Sequence, residues 1–79
     1  MSNNPLVDLL GRLLKAGDER SIEIDILDRG SRDDIDTVRG EDIRASSRLG
    51  LALYDGRWIP LHRLQEIRVG GQVEWSRDG

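Results

Sequence analysis

The chain has one histidine, His62, and it stands beside an arginine in the stretch IPLHRLQEIRVGGQVEWSR, residues 59–77. An imidazole can donate to a phosphate oxygen, and a guanidinium fork can take two such oxygens at once. Adjacent in sequence and just past Pro60, the two side chains fit a small anion-binding site. The competing reading is a polar turn, with His62 capping it and Arg63 paired to a carboxylate. A second pair, Asp28-Arg29, closes an apolar-alternating segment. Asp28 falls on the apolar parity of that segment, so its carboxylate needs a partner. It can orient His62 or Arg63, while Arg29 reaches a phosphate. A solvated ion pair at a strand end is the plainer alternative.

Charge distribution bears on the same question. The net charge is −3, which does not by itself advertise nucleic-acid binding. Residues 1–42 carry six basic and eleven acidic side chains, net −5, whereas residues 43–79 carry six basic and four acidic ones, net +2. Eleven of the twelve basic residues are Arg, Lys15 being the exception. Arg suits bidentate phosphate recognition better than Lys. Arg-biased codon usage explains the same bias.

Composition excludes several classes. With no Cys and one His, a structural zinc site and disulfides are ruled out. No apolar run approaches the length of a membrane span. The start, MSNNPLVDLL, lacks a signal peptide's basic end and apolar core. A cytoplasmic protein without cofactor is expected. The run RDDID, residues 32–36, reads as a solvated loop, since no second ligand cluster supports a metal there.

The elements that must position these residues follow from periodicity. Residues 4–16 predict an amphipathic helix, with Leu6, Leu9, Leu10 and Leu13 on one face and Val7 and Leu14 widening it. Asn4 is the expected N-cap, Pro5 the first helical residue, and Gly17 the stop. Gly11 inside the helix suggests close approach of a strand. Residues 21–28 alternate as a strand with Ile22, Ile24 and Ile26 inward; Gly30 marks the bend beyond it. Residues 35–38 form a short strand, and Gly40 to Ile43 a turn with a docked Ile. Residues 48–54 place Leu49, Leu51 and Leu53 on one face, and Asp55-Gly56 is a two-residue hairpin signal. Trp58 to Leu61 resume the sheet, with Pro60 at an edge or strand end and Trp58 on the outer face. Residues 65–69 and 72–76 flank a Gly70-Gly71 hairpin, with Ile67, Val69, Val73 and Trp75 inward. At 79 residues this is one domain, residues 1–79, able to bury about 60–65% of its unfolded surface. The fold class is α+β: an N-terminal helix packed on a small antiparallel sheet of five or six strands.

These residues resemble a small domain family, common in archaea and also appended to eukaryotic proteins, proposed to recognise RNA ends carrying a cyclic phosphate. The resemblance rests on IPLHRLQEIRVGGQVEWSR, similar to the family's Ile-Pro-x-His-Arg-Ile segment with a Gly turn and a Trp-x-Arg ending. It rests also on ILDRG at 26–30, similar to an Asp-Arg-Gly or His-Arg-Gly element. VRGEDI, LALYDGRWIP and LVDLLGRLL fit the intervening pattern. Many members carry a Trp just after the first helix, where this chain has LKAGDE. The resemblance implies RNA ends as ligand, RNA-processing proteins as partners, and Asp28, Arg29, His62 and Arg63 as ligand-binding residues, with Arg77 secondary. Trp58 or Trp75 offers a stacking surface for a base, although Trp75 alternates with Val73 and reads first as core.

The expected function is therefore a non-catalytic RNA-binding module for phosphorylated ends, the 2′,3′-cyclic phosphate among them. A phosphodiesterase is the weaker case, because acid–base chemistry on a cyclic phosphate needs two positioned proton-transfer groups. A protein adaptor using an exposed sheet edge is the third class.

Overall fold

The computed structural model describes residues 5–15, 19–27 and 34–77. The expected Asn4 cap, the Gly17 stop, the Gly30 bend and the pair Asp28-Arg29, including the burial expected for Asp28, lie outside the described residues.

The chain runs α1 (Pro5–Lys15), β1 (Ile22–Leu27), β2 (Ile35–Arg39), β3 (Ile43–Ser46), β4 (Gly50–Leu53), β5 (Trp58–Pro60), β6 (Leu64–Val69) and β7 (Gln72–Ser76). Short 3-10 turns at Glu19–Ser21, Gly40–Asp42 and Leu61–Arg63 join α1's side to β1, β2 to β3 and β5 to β6. The α+β class and the N-terminal helix are as expected. The sheet is not: the seven strands form two antiparallel sheets, one of order β2-β1-β6-β7 and one of order β3-β4-β5. The division falls at Pro60. Proline cannot donate to a ladder, and the 3-10 turn after it redirects the chain. β6 therefore leaves β5 and pairs with β1, setting Ile67 opposite Ile24.

One core is shared by every element. Leu6 and Leu10 of α1 bury against Ile22, Ile24 and Ile26 of β1, Val38, Ile43, Leu51, Leu53, Ile59, Leu61, Leu64 and Ile67. Val7, Leu9, Leu13 and Leu14 pack partly against it, so the helix stripe works as its spacing predicts. Full burial of an Ile or Leu side chain contributes about 1.5–3 kcal/mol, and Leu10, Ile24, Leu51, Leu64 and Ile67 are all fully buried. Gly11, by contrast, faces open space: a Cβ added there would meet nothing within 4 Å. It admits no strand.

Four further expectations are corrected. Leu49 is 70% exposed rather than inward. It sits in the hairpin loop closed by mutual hydrogen bonds between Ser47 and Gly50, so β4 begins at Gly50, not at residue 48. Residues Ile43–Ser46 form a strand where only a turn was expected; a single buried residue, Ile43, left no alternation to read. Val73 is 49% exposed. A β-bulge sets Trp75 opposite Ile67 but Val73 opposite Arg68, so the extra residue, Glu74, turns Val73 to the outer face. The β4–β5 loop also has three residues, not two: Leu53 N–H donates to Arg57 O, with Gly56 at φ 95° as the left-handed residue. The Gly70-Gly71 hairpin is as expected, both glycines having positive φ.

Candidate functional site

The turn after Pro60 presents His62 and Arg63 by necessity. In a 3-10 turn, residues i and i+3 eclipse. Here those positions are Leu61 and Leu64, 8% and 0% exposed, and the turn closes through Leu64 N–H to Leu61 O. With both ends anchored in the core, the two residues between them must face solvent, and both are exposed.

Arg77 holds this turn from the far end of the chain. Its Nε donates to Leu64 O at 2.8 Å and its Nη2 to Leu61 O at 3.1 Å. Its backbone N–H donates to Gln65 O, and its guanidinium lies 5.4 Å from the Trp75 ring centroid. The Trp-x-Arg ending thus clamps both carbonyl ends of the His-Arg turn. Arg77, expected as a secondary ligand contact, braces this turn in the structure.

Arg63 lines a groove of about 250 Å³ together with Ile26, Leu27, Arg57, Trp58 and Ile59. Among the described residues its guanidinium makes no hydrogen bond or ion pair. His62 is exposed beside it but is not part of the groove wall. Leu27, the last described residue of β1, lines the same groove, and Asp28 and Arg29 follow it directly in the chain.

Trp58 is 51% exposed on the edge strand β5, as its alternation with Pro60 predicts. Its ring crosses Gly50: a Cβ there would sit 2.8 Å from Trp58 Cζ2 and would collide with Ile59 O. The absent side chain lets the indole lie on backbone. Arg57, at the rim, is committed. It bonds Asp55 through Nε at 2.8 Å and Asp36 through Nη1 at 3.3 Å. The Asp55 carboxyl is held below its ordinary pKa, first by the Arg57 backbone N–H and then by its guanidinium.

Sequence reasoning missed Arg57 and Leu27 as groove walls. Leu27 carried a signal: it is a leucine on the same parity as the solvent-facing Glu23 and Asp25. Arg57 carried none, because its place depends on the three-residue loop.

A larger, shallow depression of about 550 Å³ runs along α1 past Val7, Asp8, Gly11, Arg12 and Lys15. Among the described residues it gathers no aromatic side chain and none of the candidate ligand-binding residues. Among the described residues no group of three or more His, Cys, Asp or Glu could hold a metal ion, and no helix is long and apolar enough to cross a membrane.

No family model and no solved structure matches the chain. Two curated relatives do. The UPF0248 protein of Archaeoglobus fulgidus is 45% identical over 40 residues, 51% of this chain and 58% of that protein; the match thus spans less than two thirds of that relative's length. A UPF0248 protein of Methanopyrus kandleri is 35% identical over 52 residues, 66% of this chain and 69% of that protein. On that extent of shared sequence, the chain belongs to the UPF0248 family.

Proposed function

We propose that this domain is a non-catalytic RNA-binding module that recognises phosphorylated RNA ends, the 2′,3′-cyclic phosphate included. The observation that carries the reading is Arg63: an exposed guanidinium on a braced turn, without an ion-pair partner among the described residues, lining a groove beside an exposed tryptophan. A phosphate needs a positive charge that is free to engage it. Arg57, in the same groove, already has two carboxylate partners. His62 adds a second donor at the same turn. The family resemblance of the His-Arg and Asp-Arg-Gly segments points the same way. A binding role is favoured over a catalytic one because acid–base chemistry on a cyclic phosphate calls for two positioned proton-transfer groups, and the chain has one histidine and no cysteine.

The test is a titration of short RNAs ending in a 2′,3′-cyclic phosphate, a 3′-phosphate or a hydroxyl, at two salt concentrations. Phosphorylated ends should bind more tightly, with salt weakening them. Arg63→Ala should cost a charge-assisted bidentate contact, about ten- to a hundredfold in affinity. Arg63→Lys should recover only part of that. Equal affinity for all three ends would favour an adaptor role, for which edge strand β7 with its exposed Val73 is the available surface. Turnover of the cyclic phosphate, abolished by His62→Ala, would show catalysis instead.

A further inference from the structure

We infer that the groove beside Trp58 is a single-nucleotide subsite, which takes the unpaired terminal base of the RNA against the indole while Arg63 takes its phosphate. This inference rests on the RNA-end reading above and adds what that reading leaves open: how much of the RNA is held, and in what state.

Three observations carry it. The first is the wall chemistry. Trp58 is 51% exposed and Leu27 38% exposed, and both line the groove with Arg63. An exposed indole and an exposed leucine in one recess present apolar surface that nothing in the described chain covers. A base has a π-face to lay on the indole and costs little to desolvate there.

The second is size. At about 250 Å³ the groove falls below the roughly 300–1,000 Å³ typical of pockets that engulf a whole drug-sized ligand. That size suits one base laid on the indole. A base laid on the indole gives up its stacking on its own neighbour, so the subsite favours a frayed or single-stranded end over a paired duplex end.

The third is charge. Of the two arginines in the groove, Arg57 is tied to Asp55 and Asp36, and Arg63 is uncommitted. Among the described residues the groove thus sets one cation without an ion-pair partner beside one aromatic face, a pairing that suits the phosphate and base of a nucleotide. Gly50 adds preorganisation, since it seats the indole against β4.

The experiment pairs a protein change with a ligand change. Wild-type, Trp58→Ala and Trp58→Phe proteins are titrated with single-stranded RNAs ending in 3′-phosphate, with the terminal base present or replaced by an abasic ribose. Base–aromatic stacking predicts that Trp58→Ala, or base removal, each weakens binding about five- to 150-fold. Made together, the two changes should cost little more than either alone. Trp58→Phe should retain most of the affinity, and a thermal melt checks that each variant folds. A blunt duplex with the same 3′-phosphate should bind more weakly than the single strand. The inference is overturned if Trp58→Ala leaves affinity unchanged, if the two losses simply add, or if the duplex binds as well; phosphate discrimination by the wild type would then leave the RNA-end reading standing. If the wild type fails to distinguish phosphorylated from hydroxyl ends, that reading falls, and the subsite with it.

Discussion

Two arginines at either end of one segment, Arg63 and Arg68, have opposite fates. Arg68 lies on the outer face of the four-stranded sheet, and Arg63 on the turn that leads into the same strand. Arg68 is enclosed by carboxylates. Its Nη1 and Nη2 grip Asp25 at 2.8 and 2.9 Å, Nη1 also bonds Glu66 at 2.6 Å, and Nε lies 3.7 Å from Glu23. Thr37 Oγ1 completes the cluster by donating to Asp25. The ladder puts Glu23 opposite Arg68 and Asp25 opposite Glu66, so strand pairing itself assembles the charges. Among the described residues Arg63 has no such company. The difference separates an arginine that holds the sheet together from one whose charge is available to a ligand.

The largest expected effect is on the side of Arg68. Arg68→Ala would leave three carboxylates facing one another on a surface only partly screened. Arg68 and Asp25 are each 21% exposed, so the cost should fall somewhat below the 3–5 kcal/mol of a fully buried pair, at about 2–3 kcal/mol in a denaturant melt. Acid should mimic it. The Arg68 hydrogen bonds hold the Asp25 carboxyl below its ordinary value of 3.8, against a smaller opposing effect of burial. A depressed carboxylate contributes stability that is complete above its unfolded pKa and lost as the pH falls through the folded one. Stability should therefore decline below about pH 4, and Asp25→Asn should flatten that part of the profile.

An intermediate effect belongs to Arg77. Arg77→Ala removes two charged hydrogen bonds to the turn carbonyls and should destabilise by about 1–2 kcal/mol. It should also weaken RNA binding, because the turn that presents Arg63 loses its clamp. A variant that loses binding at unchanged stability would make Arg77 a direct ligand contact instead. Least of all should Arg63→Ala affect the fold: a change of about 0.5 kcal/mol or less is expected for a surface residue without partners. A larger loss of stability would erase its contrast with Arg68.

Much of this was legible in local pattern. The leucine stripe of α1, the Ile22-Ile24-Ile26 alternation and the Gly70-Gly71 hairpin each depend on residues close in sequence. So does the exposure of Trp58, read from its parity with Pro60. What escaped depended on pairing at a distance. Whether β6 continues with β5 or crosses to β1 is decided by the break at Pro60 and by contacts some 40 residues apart in register, such as Arg68 with Asp25. The bulge at Glu74 overturned a clean alternation and sent Val73 outward. At the site, His62 and Arg63 were visible from residue type alone. The brace by Arg77 and the groove formed with Leu27 were not, because they join segments that only the fold brings together.

The most direct measurement of the central claim is nuclear magnetic resonance of the arginine Nε–H and tryptophan Nε1–H groups during titration with a short RNA ending in a 2′,3′-cyclic phosphate. The account predicts that the signals of Arg63 and Trp58 move together and saturably, while that of Arg68, locked among its carboxylates, stays in place. Shifts centred on Arg68 and the outer sheet face, or no shift at Arg63 while the RNA binds, would contradict it.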